Sequence, residues 1–253
     1  MTSTILVTGG TGTLGKHIVP LLRDADRKVR VLTRHGRAGA DGVSYVTGDL
    51  LADSGVDEAV AGADVVLHLA GGPKGDAEAT ANLTRAAARA GVEHLVYISV
   101  IGADRVPLGW FGSKLEAERA VSSCGVPWTT LRAAQFHDLV FTMVSKMAKL
   151  PVVPAPSAVR LQPVDAREVA ARLVELALGS PAGLVPDLAG PKVYGMGELA
   201  RTYLAAVGKR RPLLPVPMPG KAGRAYRAGE NLAGEGAVRG QRTWEAFLAE
   251  RVG

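Results

Sequence analysis

Short β-branched and aliphatic runs recur through the first half of the chain, each followed by a stretch with helical spacing of apolar residues. The runs are Thr4–Thr8, Val29–Thr33, Val43–Thr47, Asp64–His68, Leu95–Ser99 and Trp128–Leu131. Helical segments near 13–24, 53–61, 76–90 and 112–123 lie between them, long enough for the right-handed crossovers that parallel strands require. The rhythm predicts a doubly wound α/β fold around a parallel sheet.

After Arg132 the rhythm changes. A helix is expected near 136–149, followed by Pro151, Pro154 and Pro156, whose fixed φ and missing donors disfavour regular structure. Asp165 can cap a helix running to about Leu178, Gly197 precedes another over Glu198–Val207, and a last one falls near Thr243–Arg251. A second proline run, Pro212 to Pro219, separates these. With no internal repeat, the expectation is one domain over 1–253, in which 136–160 and 183–240 form a small C-terminal lobe or lid on the substrate side.

Composition narrows this picture in two ways. Apolar residues make up 47% and charged residues 21% of 253, with no run of about 18 apolar residues to span a bilayer, and Ile5–Thr8 is too short for a signal peptide; a cytoplasmic protein is expected. The single cysteine, Cys124, cannot form an internal disulfide. The net charge of +6 lies in the C-terminal segment, where residues 201–253 carry 10 Lys and Arg against 4 Asp and Glu. That excess could steer an anion, but aromatics are only 5% and no nucleic-acid-reading motif accompanies it, so a solvated basic face is the plainer reading.

Candidate chemistry begins between the first strand and the first helix. Thr8-Gly-Gly-Thr-Gly-Thr-Leu-Gly15 contains Gly9, Gly10, Gly12 and Gly15 in two overlapping registers. Glycine permits positive φ in such a turn, the bare Gly12 lets backbone approach a pyrophosphate, Gly15 allows tight helix-to-strand packing, and the helix start offers unpaired amides. Strand, turn, helix and second strand all fall in register, so a Rossmann dinucleotide site is preferred over a ligand-free tight turn. At the end of the second strand an acid would hold the ribose hydroxyls of NAD. This chain has Leu32-Thr33-Arg34-His35-Gly36-Arg37 instead, and Arg34 and Arg37 suit the 2′-phosphate of NADPH, although either could simply face water.

These residues resemble the atypical short-chain dehydrogenase/reductases of the NmrA-like, NAD(P)-binding kind, over nearly the whole chain. The resemblance assigns cofactor contacts to Gly9, Thr11, Gly12, Thr13, Leu14 and Gly15, and to Arg34 and Arg37. It implies that Asp49 and Leu50 meet the adenine, that Leu69-Ala70-Gly71 line the ribose and pyrophosphate, and that Ser99, Lys114, Gln135 and Phe136 lie toward the nicotinamide. Further similar segments are Ser99–Gly102, Phe111–Glu118, Leu131–Phe136 and Pro163–Val169.

A typical member uses Tyr-x-x-x-Lys, the lysine lowering the tyrosine pKa for proton donation. Lys114 matches the lysine, but Trp110 stands where the tyrosine belongs, and none of Tyr45, Tyr97, Tyr194, Tyr203 or Tyr226 has lysine four positions later. Lys114 either binds the nicotinamide ribose or is an exposed lysine at salt-bridge spacing from Glu118. Ser99 binds a carbonyl or caps a turn. His137 is the substitute proton donor or a structural residue. His17, His68 and His94 lack metal-ligand spacing. Met143 and Met147, like Trp110 and Phe111, either pack or line an apolar pocket. The expected protein is an NADPH-dependent oxidoreductase that reduces a small apolar or aromatic carbonyl, enone or quinone, as a monomer or homodimer without nucleic-acid or membrane partners. The alternative is a non-catalytic NADP(H) redox sensor.

Overall fold

The computed structural model describes residues 3–39, 42–72 and 74–252, which divide into two compact units. The first comprises 1–99, 112–131 and 169–185; the second comprises 100–111, 132–168 and 186–253.

The first unit is a parallel α/β sandwich. Its strands are β1 (Thr4–Thr8), β2 (Lys28–Thr33), β3 (Val43–Thr47), β4 (Val65–His68), β5 (His94–Val100) and β6 (Trp128–Ala133), in the spatial order β6-β5-β4-β1-β2-β3. The crossovers run through α1 (Gly15–Asp24), α2 (Val56–Val60), α3 (Asp76–Ala90) and α4 (Gly109–Ser123). Ile5, Leu6 and Val7 are all fully buried, because a sheet covered on both faces needs apolar side chains in both directions. Leu6, Val66, Leu95 and Tyr97 share one core with Leu83 of α3 and Val121 of α4, while α1 buries Ile18 and Leu22 and packs on β1 and β2. Strand order reverses beside β1, so the carboxyl ends of β1 and β4 flank the switch point at which open α/β sheets collect ligands.

The chain visits the second unit over 100–111, enters it again within β6 and continues through α5 (His137–Met147), β7 (Val153–Pro156) and β8 (Arg160–Leu161). It returns to the first unit within α6 (Ala166–Leu178), whose following short strand β9 (Gly183–Leu184) pairs with β6. The rest of the second unit is β10 (Leu188–Ala189), β11 (Tyr194–Gly195), α7 (Met196–Ala206), β12 (Leu213–Val216), α8 (Gly220–Ala228), β13 (Val238–Arg239) and α9 (Trp244–Val252). Val140 and Val144 of α5, Leu199 and Tyr203 of α7, and Trp244, Phe247 and Leu248 of α9 form its core. No helix among the described residues is long and apolar enough to cross a membrane.

The proline-rich stretch after α5 departs from expectation: instead of irregular backbone, Val153–Pro156 pairs with Leu213–Val216 in a two-stranded parallel ribbon, with Pro154 opposite Leu214 and Val216 opposite Pro156. Val153 N–H donates to the Pro212 carbonyl (2.9 Å) and Ser157 N–H to that of Val216 (3.0 Å). Prolines at alternate positions therefore point their missing donors to the unpaired edge, where they cost nothing. The helix α8 was not expected, and α7 begins at Met196 rather than Glu198.

Asp165 caps α6, its Oδ1 accepting from the Arg167 backbone N–H at 2.8 Å. The same carboxylate, 3% exposed, receives the Arg167 guanidinium (2.8 Å) and the Arg242 Nε (2.7 Å), and both arginines continue to Glu250 of α9. Burial opposes the Asp165 charge, but the bonds from Arg167 and Arg242 prevail and hold its pKa well below the ordinary 3.8. A depressed native pKa adds stability that is complete above about pH 4 and is lost as pH falls through the native value. Asp165→Asn should therefore destabilise the protein at pH 7 by about 3 kcal/mol. Urea unfolding should show a smaller gap between variant and wild type at pH 2 than at pH 7; an equal gap would contradict the assignment.

Candidate functional site

The turn after β1 is shaped by what its glycines lack. Gly9 has φ +69, and a Cβ there would lie 2.7 Å from the backbone N of Ala70, so the turn rests directly on the segment after β4. A Cβ at Gly15 would lie 2.2 Å from the carbonyl of Gly10: the close contact expected between helix and strand is instead within the turn itself. Thr11, Gly12 and Thr13 are exposed, and the amides of Thr11, Thr13 and Leu14 have no backbone acceptor among the described residues. Unpaired amides at the mouth of a helix, beside a position where a side chain is absent, form a cradle for a pyrophosphate. The residues present fit a dinucleotide.

The ends of β2 and β3 are tied by the Gly48 N–H to the Thr33 carbonyl (3.0 Å), which places Arg34 and Asp49 on neighbouring strand ends. Arg34 is exposed and has no acidic partner among the described residues; Arg37 lies over the Tyr45 ring at 5.4 Å. Asp49 Oδ1 accepts from the Leu51 and Ala52 amides (2.8 and 3.2 Å), closing a turn and leaving Oδ2 outside these bonds. Leu50, assigned with it to the adenine, turns its side chain into the core beside Val56 and Leu83, and its carbonyl accepts from Asn82 Nδ2 (2.7 Å).

Lys114 is not an exposed helix lysine. Its side chain is 8% exposed and ion-pairs at 3.1 Å with Asp76, itself 2% exposed. Nζ also donates to the Tyr97 hydroxyl (3.1 Å) and the Ile98 carbonyl (3.4 Å), and Tyr97 donates to Asp76 (3.4 Å). A tyrosine and a lysine thus do meet, through the fold rather than through four-residue spacing. The Tyr97 ring is fully buried, however, and burial, with Asp76 and Glu118 nearby, pushes its hydroxyl far above the ordinary value, opposite to what proton donation needs. Gly71 opens onto this pair, for a Cβ there would lie 2.9 Å from Asp76 Oδ1 and 3.1 Å from Lys114 Nζ. Sequence reasoning missed Asp76 and Tyr97 because no linear motif joins them to Lys114. Ser99, at the end of β5, is 5% exposed with an Oγ that has no hydrogen-bond partner among the described residues.

In the second unit, Phe136 bridges to Val164 and the Gln135 carbonyl accepts from Val164 N–H (3.0 Å), while Gln135 Oε1 is buried without a partner. His137 is fully buried, and its ring lies 5.9 Å from Trp244 and 5.2 Å from Phe247. Burial outweighs Asp165 and Asp138 and pushes its pKa down to about 4, and neither ring nitrogen has a hydrogen-bond partner among the described residues. A sealed, neutral imidazole fits packing rather than the proton-donor role expected of it. Met143 and Met147 pack against the same core, and Phe111 is buried against a partly exposed Trp110.

A parallel sheet with a glycine turn at its switch point, unpaired amides at a helix start and a free arginine after the second strand defines a dinucleotide-binding protein of the Rossmann class. Comparison with known proteins agrees: the family described as NAD(P)H-binding matches residues 9–177, and the chain belongs to it. The NAD(P)H azoreductase of Xenophilus azovorans is 30% identical over 81% of this chain and 74% of its own length. The (4-alkanoyl-5-oxo-2,5-dihydrofuran-3-yl)methyl phosphate reductase of Streptomyces griseus is 32% identical over 83% and 75%. Uncharacterized proteins of Mycobacterium tuberculosis match at 30% over 85% of this chain, which spans about a quarter (24%) of their length. The fold matches that of the NADPH-dependent quinone oxidoreductase QOR2 of Escherichia coli in complex with NADPH, with TM-score 0.84, 18% identity, and coverage of 98% of this chain and all of that one.

Removing one partner of the Lys114–Asp76 pair leaves a buried charge unpaired. Asp76→Asn should cost about 3 kcal/mol in urea unfolding, and adding Lys114→Met should recover more than half of that loss. A double variant no more stable than Asp76→Asn would contradict the buried pairing.

Proposed function

We propose that this protein is an NADPH-dependent oxidoreductase acting on a small apolar or aromatic acceptor, a quinone or conjugated enone before a simple ketone. The observation that carries the cofactor choice is Arg34, exposed at the end of β2 with neither an acid in the NAD position nor an acidic partner to occupy it. The amides of Thr11, Thr13 and Leu14 hold the pyrophosphate, Arg34 and Arg37 take the 2′-phosphate, and Asp49 Oδ2 is open to the adenine amino group. Lys114, buried and presented beneath Gly71, and Ser99, with its unpartnered hydroxyl, serve the nicotinamide end. Gln135 and Phe136 are further cofactor contacts in this proposal.

The bound cofactor supplies a hydride. Trp110 cannot donate a proton, Tyr97 holds its own, and His137 is sealed, which favours an acceptor whose reduced form takes its proton from water or from another side chain. Quinones and enones meet that requirement, and the azoreductase, dihydrofuranone reductase and quinone oxidoreductase named for the relatives act in the same reductive direction. The substrate is a small molecule taken up in the cytoplasm, with no nucleic acid or membrane involved. The same absence of a placed acid favours a second reading, a non-catalytic NADP(H) sensor.

Calorimetric titration separates these readings. NADPH should bind at least about tenfold more tightly than NADH, and Arg34→Ala should remove that preference while leaving NADH unchanged, one charge-assisted contact being worth about 1.5–3 kcal/mol. Loss of nicotinamide absorbance with a quinone and enone panel establishes the reductase. Tight binding without turnover establishes the sensor, and equal affinity for NADPH and NADH overturns the role of Arg34.

A further inference from the structure

Beneath the glycine turn lies a line of buried polar groups that no cofactor contact explains. Ala70 N–H reaches Thr8 Oγ1 (3.2 Å), Thr8 Oγ1 reaches His68 Nδ1 (2.7 Å), His68 Nε2 reaches Thr80 Oγ1 (3.0 Å), and Thr80 Oγ1 reaches the Asp76 backbone carbonyl (2.7 Å). Thr8, His68, Thr80 and Asp76 are all at most 3% exposed.

Valence, together with a neutral ring, fixes the direction of every bond. A carbonyl can only accept, so the Thr80 hydroxyl spends its one proton on Asp76, and the contact from His68 Nε2 must be a donation by the ring. Burial, seconded by the Lys114 charge, pushes the His68 pKa down to about 3, so the ring is neutral and carries a single proton. That proton is on Nε2. Nδ1 is therefore bare and accepts the Thr8 hydroxyl proton, which leaves the Thr8 oxygen free to accept from Ala70 N–H. The line runs one way, from the Ala70 amide to the Asp76 carbonyl.

Its two ends are the two walls of the nucleotide site. Thr8 immediately precedes Gly9, whose α-carbon faces the Ala70 amide; Ala70 precedes Gly71, which opens onto Lys114; and Asp76 holds Lys114 through its side chain while closing the line through its carbonyl. We propose that His68, as the neutral Nε2–H tautomer, is a positioning residue that locks Leu69–Gly71 against the glycine turn and so preorganises the dinucleotide site. It touches no ligand, since it is fully buried and stacks on Tyr97 with ring centroids 5.3 Å apart. An imidazole is suited to the place because it spans two hydroxyls with one acceptor and one donor in a rigid ring, and a directional chain in a low-dielectric interior tolerates no half-made bond.

The inference rests on the glycine turn being the cofactor site, and the experiment separates the two. In wild-type protein, ¹⁵N NMR of the His68 ring should show Nε2 protonated and Nδ1 bare, unchanged from pH 8 to pH 5. Thr80→Val, nearly isosteric and on α3, should scramble that tautomer and raise the calorimetric Kd for NADPH about five- to tenfold. His68→Leu should weaken binding at least as much, and His68→Gln, which offers one acceptor and one donor, should recover most of it. A purely structural role would lower the melting temperature of these variants while leaving the NADPH Kd of the folded fraction unchanged, and that result overturns the proposal. So does a charged or Nδ1-protonated ring in wild type, a measurement that needs no variant to fold. Wild-type protein that binds no NADPH would overturn the cofactor reading itself, an outcome distinct from wild type and variants binding equally well.

Discussion

Gly9 resting on the backbone of Ala70 is the contact on which the rest of the site depends. A side chain there would collide with the segment leaving β4, and a positive φ would be strained for any other residue. Because the two chain segments touch, the turn presents its amides outward and the Ala70–Gly71 stretch lies over the Lys114–Asp76 pair beside the switch point of the sheet. The buried chain through His68 secures that contact from beneath.

Charge is handled differently at the two places where it matters. Arg34 and Arg37 stand in solvent, where a guanidinium costs little to keep and remains available to a phosphate. Lys114 is buried with a carboxylate and a phenol, an arrangement that adds little net stability but fixes one geometry, since either partner alone would be an uncompensated charge. In the second unit the Asp165 cluster does the same for the start of α6 and for α9. Trp110 stands four residues before Lys114, and the buried Tyr97 does not offer a proton in its place, so the proposed chemistry favours acceptors that need no protein acid.

Local pattern carried most of the first unit. Thr4–Thr8, Val43–Thr47 and the helix Asp76–Ala90 have the bounds expected from hydrophobic runs and periodicity, and the glycine turn falls between β1 and α1 as its local spacing predicts. What was not legible is long-range. Tyr97 and Asp76 lie 17 and 21 residues from their next partners in the cluster around Lys114, and nothing in the linear sequence signals that they converge. Proline content alone argues against a strand at Val153–Pro156, because the edge on which each missing donor falls is set only by pairing. His137 looked available from its place after β6; its burial against Trp244 and Phe247 depends on a helix more than a hundred residues further on.

The central claim is that the turn at Gly9–Gly15 holds a dinucleotide phosphate, and Gly12→Asp tests it most directly. Gly12 is exposed, and an added Cβ there would approach only the Gly9 carbonyl, at 3.2 Å, so the variant should fold with a wild-type circular dichroism spectrum and melting temperature. It places a carboxylate where the pyrophosphate would sit, and calorimetry should show NADPH affinity reduced by about a hundredfold or more. A folded Gly12→Asp protein that binds NADPH as tightly as wild type would contradict the account.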